Sequence, residues 1–230
     1  MKSNQTVTSK FADKIKIKFH DINLLENALT HRSYLNEHDD THQSNERLEF
    51  LGDAVLQFLS SEFLYKKFPE SPEGVLTNLR AALVCTPSLA AASKEIGVGE
   101  FLRLSKGEEE SGGREKNYIL ANTFEAILGS IYLDGDTKKC EDFLNAYLFP
   151  RLDEIIKSGA FKDYKSKLQE ITQEKLSATP VYKELKSWGP DHDKIFVMGV
   201  YFNEKLFAQG EGKSKQRAEQ EAAKAAIEKL

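Results

Sequence analysis

Three carboxylates interrupt an otherwise apolar helical run in the segment Asn45-Glu46-Arg47-Leu48-Glu49-Phe50-Leu51-Gly52-Asp53-Ala54-Val55-Leu56. At about 100° per residue, Glu46, Glu49 and Asp53 fall within roughly 60° of one another, while Leu48, Leu51, Val55, Phe58 and Leu59 gather on the opposite side. An acidic stripe on an amphipathic helix is ordinarily its solvated side. Charge beside low-dielectric surroundings is costly, however, and Mg²⁺ or a similar hard cation would compensate it. A second helical stretch, Tyr118-Ile119-Leu120-Ala121-Asn122-Thr123-Phe124-Glu125-Ala126-Ile127-Leu128-Gly129, carries the same kind of polar intrusion. Asn122 and Glu125 are one turn apart and share a face, so two more oxygen donors could converge on an ion already held by the first helix. A local hydrogen-bonding role is the competing reading for Asn122.

Such a site would have no protein nucleophile. There is no Ser-His-Asp or Cys-His constellation, and His20, His31, His38 and His42 lie outside the acidic stripe. Water is then the attacking group. Cys85 and Cys140 have neither CxxC nor Cys/His metal spacing, which predicts reduced core thiols.

The elements that must position these residues read as helices over most of the first part. Asp21 can cap a helix over 21–30; Ser71-Pro72-Glu73 starts another through Leu76, Leu79 and Leu83; further runs begin near Pro87 and Thr137. The stretch 105–113 is polar and glycine-rich and predicts a loop with solvated acids. The pattern changes after Ser158-Gly159-Ala160. A helix over 163–176, strands over 180–188, 194–202 and 205–209, and a helix over 214–230 follow, with Ile195, Val197, Val200, Phe202 and Leu206 expected on one covered sheet face. The fold class expected is an all-α domain over 5–157, a linker over 158–162, and a small α+β (α-β-β-β-α) domain over 163–230.

Charge bounds the partners only loosely. A net charge of −4 argues against a polyanionic ligand, but from Phe161 onward there are 13 basic and 11 acidic residues, leaving 19 and 25 before it, so the tail is +2 and the front −6. Local clustering says more. Lys213, Lys215 and Arg217 crowd the start of the last helix, where they oppose the helix dipole. A bound phosphate would turn that opposition into agreement among backbone N–H groups, dipole and side chains; a solvated basic turn is the alternative. No apolar run approaches the roughly 20 residues needed to span a bilayer, and the first residues lead into polar sequence, so a cytoplasmic protein with no membrane association is expected.

Taken together, the segment 45–56, His31-Arg32-Ser33-Tyr34 before it and the block from Ile119 to Glu125 resemble ribonuclease III, the double-strand-specific RNA endonucleases. The tail, with Lys165-Ser166-Lys167-Leu168-Gln169-Glu170 at its start and 210–220 near its end, resembles the double-stranded-RNA-binding domain. The resemblance implies that Glu49, Asp53 and Glu125 are metal-site carboxylates, Asp53 and Glu125 being closest to the chemistry, and that Glu46 acts less directly. Asn122 stands where many members have aspartate; its amide oxygen can ligate Mg²⁺ without formal charge. The implied metal set is Glu49, Asp53, Asn122 and Glu125, with Mg²⁺ as cofactor and Mn²⁺ able to substitute. Duplex RNA would be read by shape, through Gln169 on the first helix of the tail, His192 in the loop 189–193, and Lys213, Ser214, Lys215, Gln216 and Arg217 on the intervening phosphates. Gln216 occupies a place where a second basic residue is common.

The resemblance further implies a symmetric homodimer across the acidic helix. Phe50, outside the core arc, would plug the partner, unless it is an ordinary second-layer core residue. Implied products carry 5′-phosphate and 3′-hydroxyl ends with short 3′ overhangs, and implied substrates are ribosomal RNA precursors and some messenger and transfer RNA transcripts. Two other readings compete. A di-iron carboxylate protein would need Glu-x-x-His, which the chain lacks; a catalytically weak duplex-RNA-binding protein would be consistent with a neutral Asn122.

Overall fold

The computed structural model describes residues 2–38, 43–159, 161–190 and 193–230. Two compact units result, Met1–Phe161 and Lys162–Leu230. The first is helical: α1 (Lys2–Lys14), α2 (Ile22–Ala28), α3 (Arg32–Leu35), α4 (Glu46–Lys67), α5 (Glu73–Leu83), α6 (Thr86–Ile96), α7 (Lys106–Glu110), α8 (Asn117–Asp134), α9 (Thr137–Tyr147) and α10 (Leu152–Ser158). Local chemistry sets the ends. Asp21 accepts from the Asn23 N–H to cap α2, Pro87 lies in the first turn of α6, and Gly97 ends that helix at φ 78°, a left-handed conformation that glycine adopts without steric cost.

The core is built around α8, whose Leu120, Phe124, Ile127, Leu128 and Ile131 are fully buried, with Leu56 and Leu59 of α4 and Phe143 of α9 packed into the same cluster. Two expectations fail here. Phe58, assigned to the core side of α4, is 61% exposed; it lies at the margin of the apolar arc, at the edge of a groove shared with Leu76 and Arg80 of α5. The stretch 105–113 is not an irregular loop, although Glu109 and Glu110 are exposed as expected. Ser105 caps α7 by accepting from the Glu108 N–H, Glu108 pairs with Lys116 at 2.6 Å and Glu109 with Arg114 at 2.8 Å, so local ion pairs order a segment whose composition reads as loop. Cys140 is fully buried, and burial pushes its thiol up to about 12, while Cys85 is half-buried; neither is in a disulfide. No single helix among the described residues is long and apolar enough to cross a membrane.

The second unit runs α11 (Tyr164–Leu176), β1 (Val181–Trp188), β2 (Ile195–Phe202), β3 (Lys205–Gly212) and α12 (Lys215–Ile227). Its strands form an antiparallel meander in the order β1-β2-β3. Asn203 and Glu204, both at positive φ, make a two-residue turn between Phe202 and Lys205, the geometry that matches strand twist in a tight hairpin. Asp163 caps α11 and Ser214 caps α12. Leu168, Val200, Phe202, Ala208, Ala222 and Ala226 form the core. Three of the residues expected on this face do not join them: Ile195 and Val197 alternate with Val200 and Phe202 along β2 and share the side of Gly199, and Leu206 is 50% exposed and stands beside Gly199 and Leu185 on that other sheet face. The alanine face of α12 lets β3 approach closely, and a Cβ on Gly210 would overlap the Ala222 backbone nitrogen.

Candidate active site and nucleic-acid interface

The start of α4 is held from below. Asn45 donates its backbone N–H to the Thr30 carbonyl at 2.9 Å, and Thr30 is bridged to Arg103, whose guanidinium pairs with Glu26 at 2.9 Å and lies 4.4 Å from the Tyr34 ring centroid. Both Arg103 and Glu26 are almost fully buried. Thus Tyr34, in the quoted His-Arg-Ser-Tyr motif, supports the frame on which the acidic helix begins. Sequence reasoning missed Glu26 and Arg103, since a single acid and a single base 77 residues apart give no local signal.

Where α4 crosses α8, two glycines face each other. A Cβ on Gly52 would overlap the Glu125 carbonyl oxygen, and one on Gly129 would overlap the Leu48 carbonyl oxygen. Backbone can therefore lie against backbone, which brings the acidic stripe of α4 to Asn122 and Glu125 of α8. The sequence signal was available: a glycine near the middle of each apolar helical run, where it costs about 1 kcal/mol relative to alanine unless close packing needs it.

The electrostatics report the convergence. Glu125 is pushed up to about 8, first by burial and then by the charges of Asp53 and Glu49. Glu49 is also held above the usual carboxylate range, by burial first, then by Glu46, with Asp53 adding to it and a hydrogen bond from the Asn122 side chain opposing. Asp53 is exposed and accepts from Gln57 Nε2 at 3.3 Å. Glu46 is exposed at the rim, accepts from Ser44 Oγ at 2.9 Å and sits 3.6 Å from Arg32, while its charge still acts on Glu49. A cleft of about 360 Å³ opens among His31, Arg32, Glu46, Glu49, Tyr118 and Asn122. His31, expected away from the acids, lines this cleft, and burial holds its imidazole below the usual value.

Among the described residues, no three of His, Cys, Asp and Glu are placed to hold a metal ion by themselves. The donor chemistry nonetheless fits a hard cation. Glu49, Asp53, Glu125 and the Asn122 amide offer only oxygen ligands, and mutual repulsion of the carboxylates is what a cation relieves.

In the second unit, Ser214 accepts from the Arg217 N–H and starts α12, so Lys213, Lys215 and Arg217 surround the first turn with Gln216 exposed among them. An open recess of about 640 Å³ lies between Gly210, Gly212, Lys213, Arg217 and Glu221. Gln169 is exposed on α11. His192 lies outside the described residues. Phe50 is 82% exposed, which removes the reading of it as a second-layer core residue.

Comparison with known proteins covers both units. Residues 21–152 match the family described as Ribonuclease-III-like, and 164–230 match the double-stranded RNA binding motif. The chain is 46% identical to Ribonuclease 3 of Enterococcus faecalis, over 97% of each chain. It is 47% identical to Ribonuclease 3 of Streptococcus pneumoniae, over 100% of this chain and 97% of that one. Among solved structures, the nuclease domain of ribonuclease III from Campylobacter jejuni superposes with a TM-score of 0.55 at 40% identity, covering 60% of this chain and 91% of that one. A second structure of that domain, at TM-score 0.57 and 40% identity over 61% of this chain and 97% of that one, is described as showing structural flexibility in the region involved in dimer formation.

Proposed function

The chain belongs to the ribonuclease III family of double-strand-specific RNA endonucleases, and on that premise we propose that it cuts duplex RNA at a Mg²⁺-dependent site built from Glu49, Asp53, Asn122 and Glu125. The observation that supports the reading is the close crossing of α4 and α8 at Gly52 and Gly129, beside which the charges of Asp53 and Glu49 on α4 reach the Glu125 carboxyl on α8. Mg²⁺, or Mn²⁺ in its place, would supply the positive charge that acidifies water and offsets charge on the scissile phosphate.

The protein's own groups do the rest. The Asn122 amide lies near enough to the Glu49 carboxylate to favour its charged form, against the burial and neighbouring charges that oppose it. Exposed Asp53 and half-buried Glu125 would flank the attacking water; with a carboxyl near 8, Glu125 carries a proton at neutral pH in the cation-free protein and would release it on holding a cation. Displacement of the 3′-oxygen by water leaves a 5′-phosphate and a 3′-hydroxyl. The second unit brings the duplex through Lys213, Ser214, Lys215, Gln216 and Arg217, with Gln169 on α11 and His192 as further contacts.

A homodimer would place one site on each strand and give short 3′ overhangs. Its supporting observation is the exposed aromatic row Phe50, Phe58 and Tyr65 on α4, beside a groove of about 410 Å³ lined by Leu76 and Arg80. We place the protein in the cytoplasm, acting on ribosomal RNA precursors and on some messenger and transfer RNA transcripts.

Long duplex RNA incubated with the protein in Mg²⁺ or Ca²⁺ tests the whole reading. Cleavage in Mg²⁺ with binding alone in Ca²⁺ is expected. Binding without cleavage in either would make the protein an RNA adapter, and absence of both would overturn the assignment.

A further inference from the structure

The basic turn that opens α12 is already paired with carboxylates of its own unit. Lys213 Nζ stands 2.9 Å from Asp193 Oδ1, just ahead of β2, and Lys215 Nζ stands 2.8 Å from Glu184 Oε2 on β1. Glu184 sits where the β1–β2 register shifts, so an irregularity in the ladder accompanies its placement beside Lys215. Among the described residues, Arg217 forms no ion pair.

These pairs contribute little to the fold. All four side chains are at least one-third exposed, and exposed ion pairs are typically worth 0 to about 1 kcal/mol. The packing of β3 on α12 is instead secured by the backbone contacts of Gly210 and Gly212. Their consequence is electrostatic. A lysine neutralised by an adjacent carboxylate presents almost no net charge to a phosphate, so it displaces few of the cations condensed on a nucleic acid.

We propose that Asp193 and Glu184 act as built-in counterions that set both the affinity and the salt sensitivity of this surface for duplex RNA. The proposal rests on the reading that the turn contacts phosphates. On this reading RNA binding at the turn exchanges ion-pair partners of Lys213 and Lys215 rather than adding new ones.

The test measures binding of the full-length protein to a short RNA duplex in EDTA, so that cleavage cannot intervene, across roughly 50–200 mM KCl. The double variant Asp193→Asn/Glu184→Gln should bind more tightly at low salt. Its plot of log K against log salt should steepen by about 0.9 per substitution, so about tenfold of its advantage disappears across that range. Glu228→Gln, a matched charge change at the other end of α12, should leave the slope where it was. Adding Lys213→Gln and Lys215→Gln to the double variant should abolish the gain. A parent-like slope in the double variant, with Lys213→Gln weakening the parent, would overturn the counterion role while leaving the RNA surface intact. Equal steepening by Glu228→Gln would overturn it in favour of total charge. If Lys213→Gln and Lys215→Gln leave parental binding unchanged, the assignment of the turn to RNA fails and the proposal with it.

Discussion

Glu125 is the residue on which chemistry and stability meet. Its folded-state carboxyl, near 8, lies above the ordinary 4.5, so the folded protein keeps a proton that the unfolded chain has lost. Stability of the cation-free protein therefore falls as pH rises from about 4.5 to about 8, and levels off beyond. Glu125→Gln has no proton to lose. At pH 7 and without cation it should be more stable by about 1 kcal/mol after allowing for solvent screening, roughly 2–4 °C in Tm, with the gain absent below pH 4.5. Calorimetry in EDTA at both pH values checks this, and duplex cleavage by the same variant should be abolished with RNA binding near normal. Asn122 supplies a complementary case. Asn122→Asp adds another carboxylate beside Glu49, so it should lower the Mg²⁺ concentration needed for cleavage and destabilise the cation-free protein. A Mg²⁺ titration of cleavage decides: superimposable curves for parent and variant would discard the idea that the neutral amide weakens the site.

At the level of elements, the close crossing of α4 and α8 sets the site. Gly52→Ala drives a methyl into the Glu125 carbonyl, and because the obstacle is backbone, the helices must separate. We expect a loss of ~3 kcal/mol or more by chemical denaturation, toward or beyond the usual upper range for overpacking, together with loss of cleavage. Gly74→Ala on α5 is the matched control: nothing lies within 4 Å of its added methyl, so stability should rise by about 0.5–1 kcal/mol. Parity of the two variants would show that α4 and α8 can slide apart without consequence. Periodicity and caps made most elements legible, as at Asp21, Asp163 and Ser214. It failed at 105–113, where pairs such as Lys116 with Glu108 order a polar segment, and at Leu206, which an irregular β2–β3 register leaves on the outer face.

For the whole molecule, the aromatic row on α4 is the surface to test. Phe50→Ala removes a ring that is 82% exposed, so the monomer should lose no more than about 0.5 kcal/mol. Sedimentation at working concentration should nevertheless show a weakened dimer, and an undiminished one would remove Phe50 as its anchor. The sequence by itself determined the two-part architecture, an all-α unit followed by α-β-β-β-α, because hydrophobic period, caps and turn chemistry are local properties. It also offered the candidate donors Glu46, Glu49, Asp53, Asn122 and Glu125, because polar groups in apolar helical runs are visible without coordinates, and the resemblance to ribonuclease III set Glu46 apart from the other four. Only the tertiary structure decided the rest: that Gly52 and Gly129 let the two runs touch, that Arg103 and Glu26 hold the frame beneath Asn45, that Phe58 faces outward, and that Lys213 and Lys215 meet carboxylates. Each depends on residues distant in sequence coming within a few ångströms, and chain spacing carries no record of such distances.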